Sequence, residues 1–267
     1  MAILTISRQI GSGGRQIGYT VADLLRYELL TKENIFSEIR KTDKQWERWA
    51  TDLDEHCPTI WEKYDWSFRG FGALMQSLIL QYSLKDKAII IGRGGNFLLK
   101  DIPYALRIRV VAPMDKRIER LMKRESVDKE TARWIAEKTD RERSCFLQAL
   151  YGKDWNDPEE YDMVFDAGSK TMEEIVATVR ESLLARDNQN TGHARKVLEM
   201  RALAAKIKAA ILTDPKFFVP TLDVFFDGAE IILQGVIHGP QEHKKIEAAA
   251  REIAGDVPVR CSLHYRL

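Results

Sequence analysis

The chain contains 267 residues, of which 45% are hydrophobic, and its 41 Lys and Arg side chains are balanced by 40 Asp and Glu. This length and apolar content predict a globular protein with one large or two ordinary domains. A net charge of only +1 gives no reason to expect nucleic acid or an anionic membrane as a general partner, so any basic chemistry must be local.

Three features of the sequence predict a cytoplasmic protein. The sequence begins directly with an apolar strand, without the basic and long apolar regions of a signal peptide. No uncharged stretch approaches the roughly 18 residues that are needed to span a bilayer. The cysteines, Cys57, Cys145 and Cys261, are isolated and odd in number, which favours a reducing compartment and buried apolar roles over a disulfide or a metal site.

The most informative local pattern is the first strand, loop and helix. Apolar residues 2–6 are followed by a loop that contains Gly11, Gly13 and Gly14, and then by a helical pattern. Glycines allow backbone N–H groups to turn toward an anion, and the start of a helix adds unpaired donors and the positive end of its dipole. The pattern therefore predicts either a phosphate site or a plain tight turn before a helix.

This loop departs from the P-loop pattern at its cation. When the pattern is aligned, Gly14 occupies the lysine position and Arg15 occupies the position of the hydroxyl residue. A guanidinium group can bind phosphate oxygens in a bidentate manner. We therefore expect Arg15, or Arg8 at the loop entrance, to supply the missing positive charge.

Further apolar runs predict a parallel sheet. Residues 87–91, 106–112 and 162–166 read as strands that alternate with helices, which indicates βαβ units. Ligands bind at the carboxyl ends of such strands, so residues 8–15 and 92–96 are expected to lie at the same edge. A basic helix follows the run that ends at residue 112, and its cations are Lys116, Arg117, Arg120, Lys123 and Arg124.

Two other segments have alternative interpretations. The charges of residues 138–143, in a long helix that Asp128 can cap, form either a solvated face or part of a site, and the solvated face is favoured without further context. Trp46, Trp49, Trp61 and Trp66 are either core anchors, which we favour, or the wall of a site for a planar ligand.

The C-terminal quarter reads as a separate domain. Polar residues 186–194 predict a linker. Beyond it, a helix, two strands joined at Asp227-Gly228, a second helix and a last strand predict a small α+β domain over residues 195–267.

With these motifs assembled, residues 1–185 resemble the cytidylate kinase-like family, relatives of bacterial cytidylate kinase among the P-loop nucleoside monophosphate kinases. The resemblance implies an α/β, three-layer P-loop kinase fold with a parallel sheet. It rests on four ordered motifs, which are TISRQIGSGGR at residues 5–15, IGRG at 91–94, KTDRER at 138–143 and GKDWNDPEEYD at 152–162.

The resemblance also implies a set of site residues and ligands. ATP would be the phosphoryl donor, with Mg²⁺ held through its phosphates and no metal ligands from the protein. In-line transfer to an acceptor phosphate requires alignment and charge neutralisation, and it requires no general base. The implied residues are Arg8, Gly11, Ser12, Gly13, Gly14 and Arg15 for the donor nucleotide, Gly92 and Arg93 for the acceptor, Arg15, Arg141 and Arg143 for catalysis, and Asp140 as the orienter of the lid arginines.

The favoured function is ATP-dependent phosphoryl transfer to a nucleoside monophosphate, with CMP or dCMP as the acceptor. Two alternatives remain open. A nucleotide-binding sensor without efficient catalysis is favoured by the missing lysine and the appended domain. A kinase for another small acceptor is favoured by Gly94, which stands where cytidylate kinases carry an acidic residue after Gly-Arg.

The C-terminal domain resembles a BON domain, a small bacterial α/β module. The resemblance rests on Asp214-Pro215, Asp227-Gly228, residues 231–236 and the alanines at 248–250. It implies docking to a membrane or to a protein, although basic and acidic residues are interspersed here and give no dense cationic patch. An unrelated α+β module for dimerisation or docking is the alternative.

Overall fold

The computed structural model describes residues 1–42, 46, 56–219 and 221–265. These residues form two compact units. The first unit contains residues 1–35, 56–59 and 85–191, and the second contains residues 36–42, 46, 60–84, 192–219 and 221–265.

The first unit is built on a parallel sheet of five strands. The strands are β1 (Ile3–Arg8), β2 (Glu28–Leu30), β3 (Ala88–Ile91), β4 (Ala105–Val111) and β5 (Met163–Asp166). Their order is β2-β3-β1-β4-β5, so β1 lies at the centre with β3 and β4 on either side. The predicted α/β class is confirmed, and the loops that follow β1, β3 and β4 leave the sheet at the same edge.

Helices lie against both faces of this sheet. The helices of the described residues are α1 (Gly14–Leu25), α2 (Lys32–Thr42), α3 (Ile60–Tyr64), α4 (Trp66–Ser83), α5 (Gly95–Leu98), α6 (Met114–Glu125), α7 (Lys129–Tyr151), α8 (Met172–Arg186), α9 (Gly192–Thr213) and α10 (Pro240–Ala254). Of these, α1 and α8 pack against one face, and the short α5 lies against the other. In the described part of the chain, no helix combines the length and the apolar character that crossing a membrane requires.

The central strand is buried because both of its faces are covered. Leu4 and Ile6 point toward α1 and pack against Ile17 and Val21. Ile3, on the opposite face, is also fully buried. Burial of each such side chain contributes roughly 1.5–3 kcal/mol, which is why a continuous apolar run suits a central parallel strand.

The long helix α7 begins and ends where the sequence predicts. The Asp128 side chain accepts a hydrogen bond of 2.7 Å from the Thr131 N–H and so caps the first turn. At the other end, Gly152 adopts the left-handed conformation, with φ of 64°. The 23 residues of α7 carry the charged segment 138–143 past the end of β1.

The second unit combines helices with a small mixed sheet. Its strands are β6 (Thr221–Phe226), β7 (Ile231–Ile237) and β8 (Val259–Tyr265), of which β6 and β7 are antiparallel and β7 and β8 are parallel. The Asp227 carboxylate accepts hydrogen bonds from the N–H groups of Ala229 and Glu230, which confirms the predicted turn between β6 and β7. Helix α9 packs against α4, β6 and α10.

This second unit is larger than the predicted C-terminal domain of residues 195–267. Residues 36–42, 46 and 60–84, which the prediction assigned to a kinase-like domain of residues 1–185, lie in the same unit as the C-terminal sheet. The predicted linker, 186–194, is largely structured, with a 3₁₀ turn at Asp187–Gln189 and α9 beginning at Gly192. The three-part division and the BON-like assignment stay predictions.

The tryptophan-rich segment is only partly core. Trp46 is 1% exposed, which fits the favoured interpretation, and the Trp66 ring lies 5.7 Å from it. Trp61 is 85% exposed, so the core assignment is wrong for that residue. Trp49 lies outside the described residues.

Two of the three cysteines form a disulfide, which corrects the expectation of buried free thiols. Cys57 and Cys145 are bonded, with a Cα–Cα distance of 5.1 Å and a sequence separation of 88 residues. The bond joins the segment before α3 to helix α7. Cys261 is free, and burial, followed by the Glu247 charge, raises the pKa of its thiol to about 11. The cytoplasmic location stays a prediction.

We expect the disulfide to stabilise the fold. Closing a segment of this length lowers the entropy of the unfolded chain, so Cys57→Ser should lower the free energy of unfolding by about 2–4 kcal/mol under non-reducing conditions. Urea denaturation with and without reductant measures the difference in free energy of unfolding between Cys57→Ser and the wild type. This difference should disappear when both proteins are reduced.

The control for the disulfide is Cys261→Ser, which removes the free thiol and leaves the Cys57–Cys145 bond intact. In denaturant, the unreduced wild type should show one titratable thiol and the reduced protein three. A count of three before reduction, or equal stability of Cys57→Ser and the wild type, would contradict the stabilising role.

Candidate active site

The predicted convergence of loops occurs at the carboxyl edge of the first sheet. The Gly92 N–H, just after β3, donates a hydrogen bond of 2.9 Å to the Ile6 carbonyl of β1. The Gln9 N–H, just after β1, donates a hydrogen bond of 3.1 Å to the Val110 carbonyl of β4. Backbone pairing therefore fixes the glycine loop and the Gly-Arg turn side by side.

Three arginines from separate parts of the chain line one small cavity at this edge, which we call the arginine cavity. They are Arg8 at the end of β1, Arg93 after β3 and Arg143 in α7. The cavity has a volume of about 10 Å³, room for about one water molecule. Gly92 admits the Arg8 guanidinium, since an added Cβ would lie 2.2 Å from Arg8 Nη1. The site therefore concentrates positive charge in a confined space.

Arg93 is the most deeply placed of the three. It is 3% exposed, and its guanidinium lies 5.9 Å from the centre of the Phe146 ring. Its backbone is left-handed, with φ of 56°, and its carbonyl accepts a hydrogen bond of 2.7 Å from the Tyr151 hydroxyl. Burial raises the pKa of Tyr151, which keeps this donor protonated. A buried guanidinium and a left-handed backbone both cost free energy, and such features cluster at functional sites.

Arg143 and Arg141 have different surroundings. Arg143 lines the arginine cavity and donates a hydrogen bond of 3.2 Å to the Arg8 carbonyl. Arg141 lines a separate cavity of about 510 Å³ with Gln9 and Asn156. Residues two positions apart in an α-helix differ by about 200° around its axis, so the two side chains cannot face one point.

A wider cleft adjoins the arginine cavity and shares Arg8 and Arg143 with it; we call it the cationic cleft. Its volume is about 350 Å³, within the usual size range of small-molecule sites. Arg15 and Lys32 add two further cations, and the acidic side chains at the cleft belong to Glu33 and Glu142. The lining carries an excess of positive charge and suits an anion larger than a single phosphate.

Arg15 is directed toward Glu33 of α2. Its Nη2 donates a hydrogen bond of 3.2 Å to the Tyr19 hydroxyl and lies 3.6 Å from Glu33 Oε1. The Tyr19 hydrogen bond, opposed by slight burial and aided by Glu33, raises the pKa of Arg15. A hydrogen bond with Thr31, together with the Arg15 charge, lowers the pKa of Glu33. The predicted substitute for the lysine thus lies on the cationic cleft.

The glycine loop has the backbone that phosphate binding requires. Gly11 and Gly13 are left-handed, with φ of 75° and 90°, and Gly13 precedes the first turn of α1. The first hydrogen bond of the helix runs from the Ile17 N–H to the Gly13 carbonyl, so the N–H groups of residues 14–16 lie at its open end. Ser12 is fully buried, and its hydroxyl donates to the Gln9 carbonyl at 2.8 Å. The Ser12 hydroxyl is therefore bound within the loop.

The loop fits a polyphosphate anion more directly than a metal ion. Left-handed glycines followed by a helix start present N–H donors to negative charge. Within residues 1–42, 46, 56–219 and 221–265, no group of three or more His, Cys, Asp or Glu side chains is arranged to hold a metal.

Asp140, predicted to orient the lid arginines, is hydrogen-bonded elsewhere. Its Oδ1 accepts a hydrogen bond of 3.0 Å from the Ile10 N–H in the glycine loop. Its Oδ2 pairs with Arg117 of α6, which is 4% exposed. The sequence identified Arg117 only as part of a basic helix, and its contact with the loop was missed.

A second missed residue is Arg109 of β4, which supports the wall of the arginine cavity. Its guanidinium stacks on Trp155 at 4.2 Å and donates to the Trp155 carbonyl and, at 2.8 Å, to Asn156 Oδ1. The Trp155 Nε1–H in turn donates a hydrogen bond of 2.7 Å to Ser7 Oγ, and both residues line the cavity. The motif at residues 152–162 is thus anchored to β1 and β4 beside the site.

Comparison with known proteins is consistent with this geometry. The model of the cytidylate kinase-like family matches residues 3–169. A cytidylate kinase from Methanosarcina barkeri is 27% identical over 169 residues, which cover 61% of this chain and 86% of that protein. A uronate isomerase from Corynebacterium glutamicum is 34% identical over 102 residues, which are 38% of this chain; this chain thus spans just 19% of that relative.

Among solved structures, a crystal structure of an uncharacterized protein from Eubacterium ventriosum has the same fold. The two superpose with a TM-score of 0.56 and 19% identity. The superposition covers 69% of this chain and 99% of the other. At this level of identity the likeness concerns the fold alone.

Proposed function

Because this chain belongs to the cytidylate kinase-like family, we propose that it transfers a phosphoryl group from ATP to a nucleoside monophosphate, with CMP or dCMP as the favoured acceptor. The observation that carries the proposal is the convergence of Arg8, Arg93 and Arg143 on one cavity beside the glycine loop. Phosphoryl transfer depends mainly on alignment and on stabilisation of charge, and three guanidinium groups from three elements can provide both.

In this proposal each part of the site has one task. The N–H groups of the glycine loop and of the start of α1 bind the donor phosphates, and Mg²⁺ held by those phosphates would neutralise part of their charge. Arg93 binds the acceptor phosphate. An acceptor oxygen forms a bond to the γ-phosphorus while the bond to the β,γ-bridging oxygen breaks, and ADP leaves. Arg8 and Arg143 stabilise the charge that spreads over the transferred group.

Binding requires the arginine cavity to widen. A cavity of about 10 Å³ holds about one water molecule and cannot hold a phosphate group. Arg143 can withdraw by a rotamer change or with its helix, whereas Arg93 is fixed by burial. We therefore assign Arg143 to the closing step, in which it reaches the transferred group after both substrates are bound, and Arg93 to the preformed base of the site.

A second candidate, a kinase for a different small acceptor, is favoured by the surroundings of Gly94. An added Cβ at this glycine would lie 2.2 Å from Cε2 of the Tyr151 ring. The acidic residue that the family resemblance places after Gly-Arg has no room in this chain.

Formation of ADP from MgATP by the full chain, with a panel of ribo- and deoxyribonucleoside monophosphates and of small acceptors that are not nucleotides, tests the proposal. Formation of CDP or dCDP in step with ADP is the expected result. Turnover with another acceptor would favour the second candidate. Nucleotide-dependent melting without product would indicate a sensor, and absence of both binding and turnover would contradict kinase activity altogether.

A further inference from the structure

Two arginines of α6 hold three consecutive carbonyl groups of the glycine loop. Arg117 Nε donates a hydrogen bond of 2.8 Å to the Ile10 carbonyl. Arg120 Nη1 donates to the carbonyls of Gly11, at 3.2 Å, and Ser12, at 3.0 Å. The loop also lies directly on α6, since an added Cβ at Gly11 would be 2.9 Å from the Arg117 carbonyl oxygen. The loop backbone is therefore oriented from outside by charged side chains.

Peptide geometry determines what this orientation does. In a trans peptide the C=O of one residue and the N–H of the next point in opposite directions. When the carbonyls of residues 10–12 face α6, the N–H groups of Gly11, Ser12 and Gly13 must face away from it. The Ser12 N–H closes the turn to the Gln9 carbonyl at 3.3 Å. The N–H groups of Gly11 and Gly13 remain oriented as donors for an anion approaching from the other side.

Arg117 is itself held in place by helix α7. It pairs with Asp140 of α7, and the other oxygen of that carboxylate accepts the Ile10 N–H at 3.0 Å. Both backbone groups of Ile10 are thus bound by one ion pair that joins α6 and α7. Arg143 lies three positions after Asp140, on the same side of α7, and reaches the Arg8 carbonyl at 3.2 Å. Helix α7 therefore contacts this part of the chain at two points, the Ile10 N–H and the Arg8 carbonyl.

Arg120 differs from Arg117 because it is exposed. Its Nη2 donates a hydrogen bond of 3.2 Å to the Ala167 carbonyl, just after β5, so the guanidinium bridges the loop and the end of that strand. The guanidinium group of Arg120 thus donates to three carbonyls through two nitrogens. Lysine has only one nitrogen and lacks this planar arrangement of donors.

We propose that Arg117, Arg120 and Asp140 are positioning residues that compensate for the absent P-loop lysine. They fix the loop so that backbone N–H groups, in place of a lysine side chain, bind the β- and γ-phosphates of a nucleoside triphosphate. The inference rests on the proposed function and adds to it the means by which the altered loop would bind its donor.

The decisive experiment compares loop order and nucleotide affinity in Arg120→Ala and Arg120→Lys. Amide hydrogen exchange of the peptide that spans residues 9–16 is measured on the full chain without nucleotide, and the affinity for MgATP is measured by calorimetry. We expect faster exchange and about tenfold to hundredfold weaker MgATP binding in Arg120→Ala. Arg120→Lys should restore only part of either, because one ammonium nitrogen on a shorter side chain cannot replace both Nη1, which binds the two loop carbonyls, and Nη2, which binds the Ala167 carbonyl.

Lys123→Ala is the matched control, since it removes one exposed cation from the same helix. Its loop exchange and MgATP affinity should equal those of the wild type. Asp140→Asn provides a second variant at the other end of the network, because the amide keeps an oxygen for the Ile10 N–H while the charge opposite Arg117 is lost. It should change loop exchange and MgATP affinity in the same direction as Arg120→Ala.

The outcomes separate this inference from the proposed function. Unchanged loop exchange in Arg120→Ala, or faster exchange with full MgATP affinity, would overturn the positioning role alone. Full affinity in Arg120→Lys with loop exchange as fast as in Arg120→Ala would instead indicate that the cation contacts phosphate directly, and would also overturn it. A wild type with an ordered loop that binds no MgATP would overturn both the inference and the kinase proposal.

Discussion

Arg143→Ala is expected to lower kcat for phosphoryl transfer by about 10²-fold or more, with a smaller change in the KM for ATP. Arg143 lines both the arginine cavity and the cationic cleft, and it contacts the Arg8 carbonyl at the end of β1. It therefore lies between the loop that would bind the donor and the turn that would bind the acceptor. In the proposed reaction, a cation at that point would stabilise charge that develops only in the transition state, so its loss should affect turnover more than binding.

The matched control for Arg143 is Arg133→Ala, which removes an exposed guanidinium from the same helix. Arg133 lies ten residues earlier in α7, about 15 Å along the helix axis. Steady-state kinetics with saturating acceptor should show near-normal turnover in this variant. Arg141→Ala should have a smaller effect than Arg143→Ala, because Arg141 lines a different cavity. Equal turnover in Arg143→Ala and Arg133→Ala would remove Arg143 from the proposed mechanism.

Local patterns in the sequence predicted the framework of the site. The run of residues 106–112 forms β4, and the glycine loop follows β1 as expected. Asp128 caps α7, because its carboxylate needs only a partner three residues ahead. Such features depend on neighbours in the sequence or on the alternation of strands and helices, and both are visible in a single chain.

Features that depend on tertiary packing were not predictable in this way. Strand β2 has only three residues, and it exists because Glu28–Leu30 can pair with β3. Cys57 and Cys145 lie 88 residues apart, and nothing in their spacing reveals that they meet. Arg117 and Arg120 have the spacing of a solvated basic helix, and only the docking of α6 on the glycine loop distinguishes them from their neighbours.

The 3.6-residue repeat of α7 distinguishes two arginines that the KTDRER motif groups together. Arg141 and Arg143 were grouped as lid arginines by their motif, yet helical periodicity places them on different sides of α7. By the same periodicity, Asp140 and Arg143 share a side, and the structure places both against the segment that follows β1.

Gly94→Ala is expected to destabilise the protein by about 2–5 kcal/mol. The residue is left-handed, with φ of 73°, and a non-glycine residue there costs roughly 1–2 kcal/mol. The added Cβ would also lie 2.2 Å from Tyr151 Cε2, and relief of that overlap costs roughly 1–3 kcal/mol. Tyr151 cannot move freely, because its hydroxyl binds the Arg93 carbonyl and its ring lies 5.3 Å from that of Phe97. Urea denaturation measures the loss.

Gly152→Ala is the control that isolates the overlap, since Gly152 has a similar φ of 64° and no atom within 4 Å of an added Cβ. It should cost only the backbone term. Gly94→Asp should be at least as destabilised as Gly94→Ala. Adding Tyr151→Ala to the Gly94→Asp variant should recover part of the lost free energy of unfolding, because the two positions are coupled through one contact. If Gly94→Ala and Gly152→Ala are equally stable, the Tyr151 ring does not exclude a side chain at position 94. An acidic residue there would then be compatible with this fold. If the aspartate is tolerated only when Tyr151→Ala is also present, the Tyr151 ring is what excludes an acidic side chain at this position.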